Sequence, residues 1–153
     1  MALEFRSARP EDREAVLAIS AQIWEGGDYL PEVWQQWLHS PAGPLQVALL
    51  DGRPVAVSKV ELQSPSEAWL AGMRVDPAHH GKGIASALLE YTLQWLDARG
   101  VPISHFTTAS TNSPIHRMAR CTGFRLVTEV THLRRPLERG DSARCPRVVE
   151  ADE

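Results

Sequence analysis

Val75-Asp76-Pro77-Ala78-His79-His80-Gly81-Lys82-Gly83-Ile84-Ala85-Ser86 carries the chain from the end of an apolar run into a stretch of helical period through two glycines. Beyond it, Ala87, Leu88, Tyr91 and Trp95 follow Ile84 at offsets of three, four, seven and eleven, one face of a helix that Gly100 closes. A strand-to-helix turn of this kind aims unpaired backbone N–H groups at one point, beside the positive end of the helix dipole. Glycine lets an anion approach where no Cβ stands in the way. The dipole contributes up to about 2 kcal/mol, so hydrogen bonds must supply most of the grip on a phosphate-bearing ligand.

The elements upstream of this loop read as an antiparallel sheet. Residues 45–50 are an apolar run, Asp51-Gly52 is a strong hairpin turn signal, and 55–62 is a second, valine-rich run. Gln63 to Ser66 turns again, and 68–75 forms a third strand in which Gly72 marks a bulge. Downstream, 101–109 reads as a strand. Strand, helix and strand then make a right-handed crossover that sets the two strands parallel. Ser113-Pro114 opens a short helix ended by Gly123, after which 124–133 reads as a returning strand. Near the N-terminus, Pro10 and acidic residues open a helix with Val16, Ile19 and Ile23 on one side. Gly26, Gly27 and Asp28 interrupt it, and Pro31 begins a second helix bearing Trp34, Trp37 and Leu38.

The 153 residues, 43% hydrophobic and 23% charged, fit one globular domain large enough for a core without staples. Only Cys121 and Cys145 are present, at no short spacing, which supports neither a disulfide framework nor a paired-Cys zinc site. No metal is expected. A net charge of −3 argues against bulk binding to nucleic acid, although eight arginines fall between Arg117 and Arg147. No stretch approaches the length of a membrane span and the N-terminus is not a secretory signal, so the expectation is a cytoplasmic protein. Residues 1–137 are taken as the domain and 138–153 as a polar tail.

Other phosphate loops fit worse. A Walker A motif needs glycine where Asp76 stands and Ser or Thr after Lys82; a dinucleotide fingerprint needs glycine at Ser86 and a parallel sheet upstream. His80-Gly81-Lys82-Gly83-Ile84-Ala85, after a strand ending in Val75-Asp76-Pro77, resembles instead the cofactor loop of the GNAT acyl-CoA-dependent N-acyltransferases. His80 replaces the usual Arg or Gln, which leaves the backbone cradle intact. Asn112, Ile115, Met118, Gly123 and Phe124 resemble a second element of that family, and the two motifs stand in the family's order.

The resemblance implies an α/β fold with a mixed, mostly antiparallel sheet, a parallel splay between the fourth and fifth strands, and flanking helices. It implies acetyl-CoA as co-substrate. Main-chain groups of Met73, Arg74 and Val75 would meet the pantetheine arm and the thioester. His80, Gly81, Lys82, Gly83, Ile84, Ala85 and the Ser86 hydroxyl would cradle the pyrophosphate, and Asn112 would bond the pantetheine. The family's usual tyrosine acid falls at Ala119, so that role does not carry over; His116, one turn earlier, is a substitute candidate. A thiol with an ordinary pKa of about 8.5 is a tolerable leaving group without an acid. Glu61 and Glu67 are candidate bases, with His105 as a further imidazole near the cofactor strand.

The segment from Ile23 to Pro31 resembles the histidine N-acetyltransferase branch of the family, whose acceptor is the α-amino group of a free amino acid. Asp28 or Glu25 would then hold an ammonium, and Tyr29 or Trp24 a side chain. The expected reaction is acetyl transfer to a primary amine of a small molecule by direct attack in a ternary complex. A protein or peptide N-acetyltransferase, or a catalytically silent CoA-binding module, are the rival readings. Exposed sheet edges and small size suggest a homodimer.

Overall fold

The computed structural model describes residues 3–131 and 133. Five strands form one sheet in sequence order: β1 (Leu3–Ser7), β2 (Leu45–Leu50), β3 (Arg53–Ser64), β4 (Glu67–Val75) and β5 (Ile103–His105). The first four are antiparallel neighbours and β5 runs parallel to β4. The β2–β3 hairpin turns at Asp51-Gly52, both at positive φ, as the primed turns that match strand twist require.

Alternation along β2 sends Leu45, Val47 and Leu49 to one face. There, with Val57, they bury against Val16 of α1 (Arg13–Ser20) and Leu30 and Trp34 of α2 (Leu30–Leu38). On the opposite face Ile84 and Leu88 of α3 (Ile84–Asp97) pack on Ala48, Val55 and Ala56. Leu96 of the same helix and Val101 pack on Val60 and Ala68. Each fully buried aliphatic side chain contributes roughly 1.5–3 kcal/mol, so the sheet from β2 to β4 with α3 holds most of the stability. A fourth helix, α4 (Ser113–Cys121), buries none of its residues.

Two irregularities position the site. β5 pairs only with Glu67, Ala68 and Trp69, so the edge of β4 from Leu70 to Val75 is open on that side. In the β3–β4 ladder Val57 faces Arg74 and Lys59 faces Ala71, leaving Gly72 and Met73 opposite Ser58 alone. Gly72 has φ +66°, and a Cβ there would overlap the ring of Trp37, so the bulge requires glycine.

The mixed sheet, the parallel β4–β5 pair and the flanking helices agree with the expected fold class. Three elements differ from the sequence reading. β1 was not anticipated, although Leu3 and Phe5 alternate with Glu4 and Arg6 in the manner of an edge strand. The strand expected over 101–109 shortens to Ile103–His105. The strand expected over 124–133 does not form in 124–131 or at 133. A strand needs a ladder partner, and a three-residue β5 offers too little. Phe124 alone is held, its ring 5.0 Å from that of Phe106 in an edge contact, while Leu126, Val127, Val130 and Leu133 are exposed. The tail 138–153 and most of the arginine-rich segment lie outside the described residues.

Candidate active site

The loop after β4 is built to leave its backbone free. The Asp76 carboxylate accepts from Ala78 N–H at 2.9 Å and fixes a helical turn, Pro77–His79. His80 Nε2–H donates to the Val75 carbonyl at 2.9 Å, and Lys82 Nζ donates to the Ala78 carbonyl at 3.2 Å. Both side chains thus fold back on the loop. Gly81 and Gly83 stand at φ +74° and +77°, with open space where a Cβ would sit. None of the N–H groups from Gly81 to Ser86 donates to a carbonyl among the described residues; the α3 ladder begins with Ala87 bonding Gly83 at 3.0 Å. Six free donors at a helix N-terminus, approached by two glycines in the left-handed region, form an anion cradle.

From this loop the open edge of β4 leads to a cavity of about 240 Å³. Its wall includes Leu70 to Arg74 of β4, Ser58 and Lys59 of β3, Tyr29, Phe106 to Thr108, and Ile115 and Met118 of α4. The Ser58 hydroxyl is buried there without a hydrogen-bond partner among the described residues. A buried hydroxyl left in this state costs about 1–3 kcal/mol, which a ligand carbonyl or amide would relieve. Asn112, at the entrance to α4, makes no capping bond with its side chain.

The connection between α1 and α2 is fastened to β4 by one buried ion pair. Asp28 accepts from Arg74 Nε at 3.0 Å and Nη2 at 2.6 Å, and from Ser20 Oγ at 2.7 Å. Burial alone would raise the Asp28 pKa; the bonds from Arg74 and Ser20 outweigh it and hold the carboxyl below the ordinary aspartate range. For Arg74 burial works against the charge, yet the bonds to Asp28 outweigh it and raise its pKa. The guanidinium lies 5.1 Å from the Trp24 ring centre and 4.9 Å from that of Tyr29. Tyr29 in turn meets Trp37 edge-on at 5.8 Å. Beside this clamp Trp24 and Glu25 stand at φ +48° and +56°, a conformation costly for non-glycine residues.

Asp28 therefore does not hold an acceptor ammonium. Its side chain is 1% exposed and its oxygens are taken by Arg74 and Ser20, so it anchors the loop to β4. Tyr29 reaches the cavity wall, whereas Trp24, 65% exposed, stands outside it over Arg74. Met73 and Arg74 line the cavity; Val75 continues from them into the cradle. The three candidate acid–base residues are not brought to the wall. Glu61 is exposed on β3 and Glu67 pairs with Ile103 at the far end of β4. His116 bonds the Ala109 carbonyl through Nε2 at 3.1 Å. Lys59, which does line the cavity, is absent from the sequence reading; its signal was a lysine inside the apolar run 55–62.

The Acetyltransferase (GNAT) family sequence profile matches residues 11–124, more than half of the chain. A histidine N-acetyltransferase of Oreochromis niloticus is 33% identical over 98 residues, covering 63% of this chain and 29% of that protein. One from Scomber australasicus is 32% identical over 98 residues with the same coverages. The chain thus matches under a third of the length of these curated relatives. Among solved structures, the ribosomal-protein-S18-alanine N-acetyltransferase of Escherichia coli superposes with a TM-score of 0.75 at 20% identity, over 83% of this chain and 80% of that one.

Proposed function

The chain belongs to the GNAT acetyltransferase family, and from that premise we propose that it transfers the acetyl group of acetyl-CoA to the primary amine of a small molecule, a free amino acid foremost. The observation that carries the reading is the run of six unpaired N–H groups from Gly81 to Ser86 ahead of α3. These groups, with the Ser86 hydroxyl, suit a pyrophosphate. The open β4 edge at Met73, Arg74 and Val75 suits the pantetheine arm, with Asn112 across the splay.

In the reaction the neutral amine attacks the thioester carbonyl, a C–N bond forms, the C–S bond breaks, and the thiolate leaves and takes up a proton. Main-chain N–H groups at the Gly72–Met73 bulge would meet the oxyanion, the kind of fixed dipole that supplies the largest share of such catalysis. Glu61, Glu67 and His116 would act only through water, since none lines the cavity. Ala119 supplies no acid, and the thiolate leaves on its own basicity.

Support for an amino-acid acceptor comes from three sides. The cavity is small, Tyr29 lines it, and two relatives carry the name histidine N-acetyltransferase. The test is thiol release from acetyl-CoA against free amino acids, polyamines, aminoglycosides and N-terminal peptides. Release with histidine or another aromatic amino acid is expected. Release with peptides alone would move the acceptor to protein N-termini, and silence despite acetyl-CoA binding would favour a non-catalytic CoA-binding module.

A further inference from the structure

Two aromatic residues line the cavity without serving the core. Tyr29 is 40% exposed and Trp69 is half-buried, and among the described residues neither belongs to the three packed clusters. Their neighbours place them. On β4, Ala68 and Leu70 pack toward Leu96 and Val101, so alternation turns Trp69 and Ala71 to the opposite face, the one that carries α1 and α2. Tyr29 stands on that same face. Its ring lies 4.9 Å from the Arg74 guanidinium and meets Trp37 edge-on at 5.8 Å, and the Trp37 ring fills the space that a Cβ of Gly72 would need. Tyr29 is thus held beside the Gly72–Met73 bulge, and Trp69 precedes it on the strand by two residues from Ala71. None of the described residues lining the cavity is acidic. Glu61, the ladder partner of Trp69, is exposed and off the wall; Asp28 is spent on Arg74 and Ser20. The Tyr29 ring already receives the Arg74 guanidinium. A second ammonium on the acceptor would lose water here and gain no counter-charge.

We propose that Tyr29 and Trp69 set the acceptor specificity: they receive the acceptor's side chain when it is an uncharged ring or hydrocarbon chain, and the cavity they line excludes acceptors with a second cation. Trp69 fills the role that the sequence assigned to Trp24, which stands outside the cavity. In an α-amino acid the amine and the side chain share one carbon. An amine directed to the bulge therefore keeps its side chain on the neighbouring wall, where apolar area left in water by the two aromatic residues is covered. The proposal rests on the amino-acid reading above and narrows it to neutral, apolar side chains, histidine being taken with its imidazole uncharged.

The experiment measures thiol release from acetyl-CoA with L-phenylalanine against L-alanine, and with L-citrulline against L-arginine, a near-isosteric pair that differs in charge. Wild type should prefer phenylalanine and citrulline, each by about tenfold or more in kcat/KM, the size expected for covering one ring and for stranding one cation. These two ratios need no variant. Equal use of phenylalanine and alanine would overturn the aromatic slot, and equal use of arginine and citrulline would overturn the exclusion of a second cation. Trp69→Ala and Tyr29→Ala should each cut the phenylalanine-to-alanine ratio about fivefold or more, through KM for phenylalanine rather than kcat, and Tyr29→Phe should retain it. A ratio unchanged in either alanine variant, with acetyl-CoA still bound, would overturn the pair while leaving the amino-acid acceptor in place. Turnover of none of these amino acids, nor of histidine, overturns the amino-acid reading and this one with it.

Discussion

At the scale of single residues, the connection between α1 and α2 depends on one carboxylate. Asp28→Asn removes the charge that Arg74 faces and leaves a buried guanidinium uncompensated, which should cost about 3–5 kcal/mol in urea unfolding at neutral pH. The pH dependence has a definite sign. Asp28 is held below its ordinary value, about 3.9, so its contribution is complete above that pH and disappears as pH falls through the depressed folded value. The stability gap between wild type and Asp28→Asn should thus be constant from pH 7 to about 5 and close in stronger acid. Asp12, bonded by Arg6 at 2.6 and 2.8 Å, is lowered in the same direction, and it cancels in the comparison. A gap that widened in acid would contradict the pair's assigned polarity. The sequence singled out Asp28 but not its partner. Arg74 lies 46 positions away, and no local spacing could show that β4 aims this guanidinium at the α1–α2 connection.

At the scale of elements, the cradle and the bulge were legible because each is written in consecutive residues. A glycine pair before a helical period fixes both the turn and its free donors, and Gly72 inside an apolar strand marks the irregularity. Gly83→Asp tests the cradle. Aspartate tolerates the left-handed region better than most residues and meets no atom at this position, so the fold should survive while a carboxylate faces the pyrophosphate. Acetyl-CoA affinity should drop at least tenfold by calorimetry. Gly52→Asp, at φ +78° in the hairpin turn and equally open, is the matched control and should leave affinity unchanged. Equal losses in both variants would mean that backbone strain, and not the anion site, sets affinity. The elements misread are those whose existence depends on pairing: β1 forms because β2 offers an edge, and 124–131 stays out of the sheet because β5 is three residues long.

At the scale of the molecule, the packing that stabilises the fold is concentrated in one half. The three buried clusters lie on β2, β3, β4, α1, α2 and α3, with Val101 just beyond α3, whereas β5 is joined by three register pairs and α4 buries nothing. The cavity runs across this boundary, with β3 and β4 on one wall and Phe106 to Thr108, Ile115 and Met118 on the other. A ligand in the splay therefore joins a rigid half to a weakly held one. Hydrogen exchange of the free protein should show near-global protection in β2, β3 and the buried face of α3, and rapid exchange in β5 and α4. Acetyl-CoA at about 100 times its Kd should stabilise the fold by about 2.7 kcal/mol. If the ligand spans the splay, the largest gains in protection belong to Gly81–Ser86, β5 and α4, with smaller ones in β2. Gains confined to the 81–86 loop would place the whole ligand on the rigid half and leave the far wall without a part in binding.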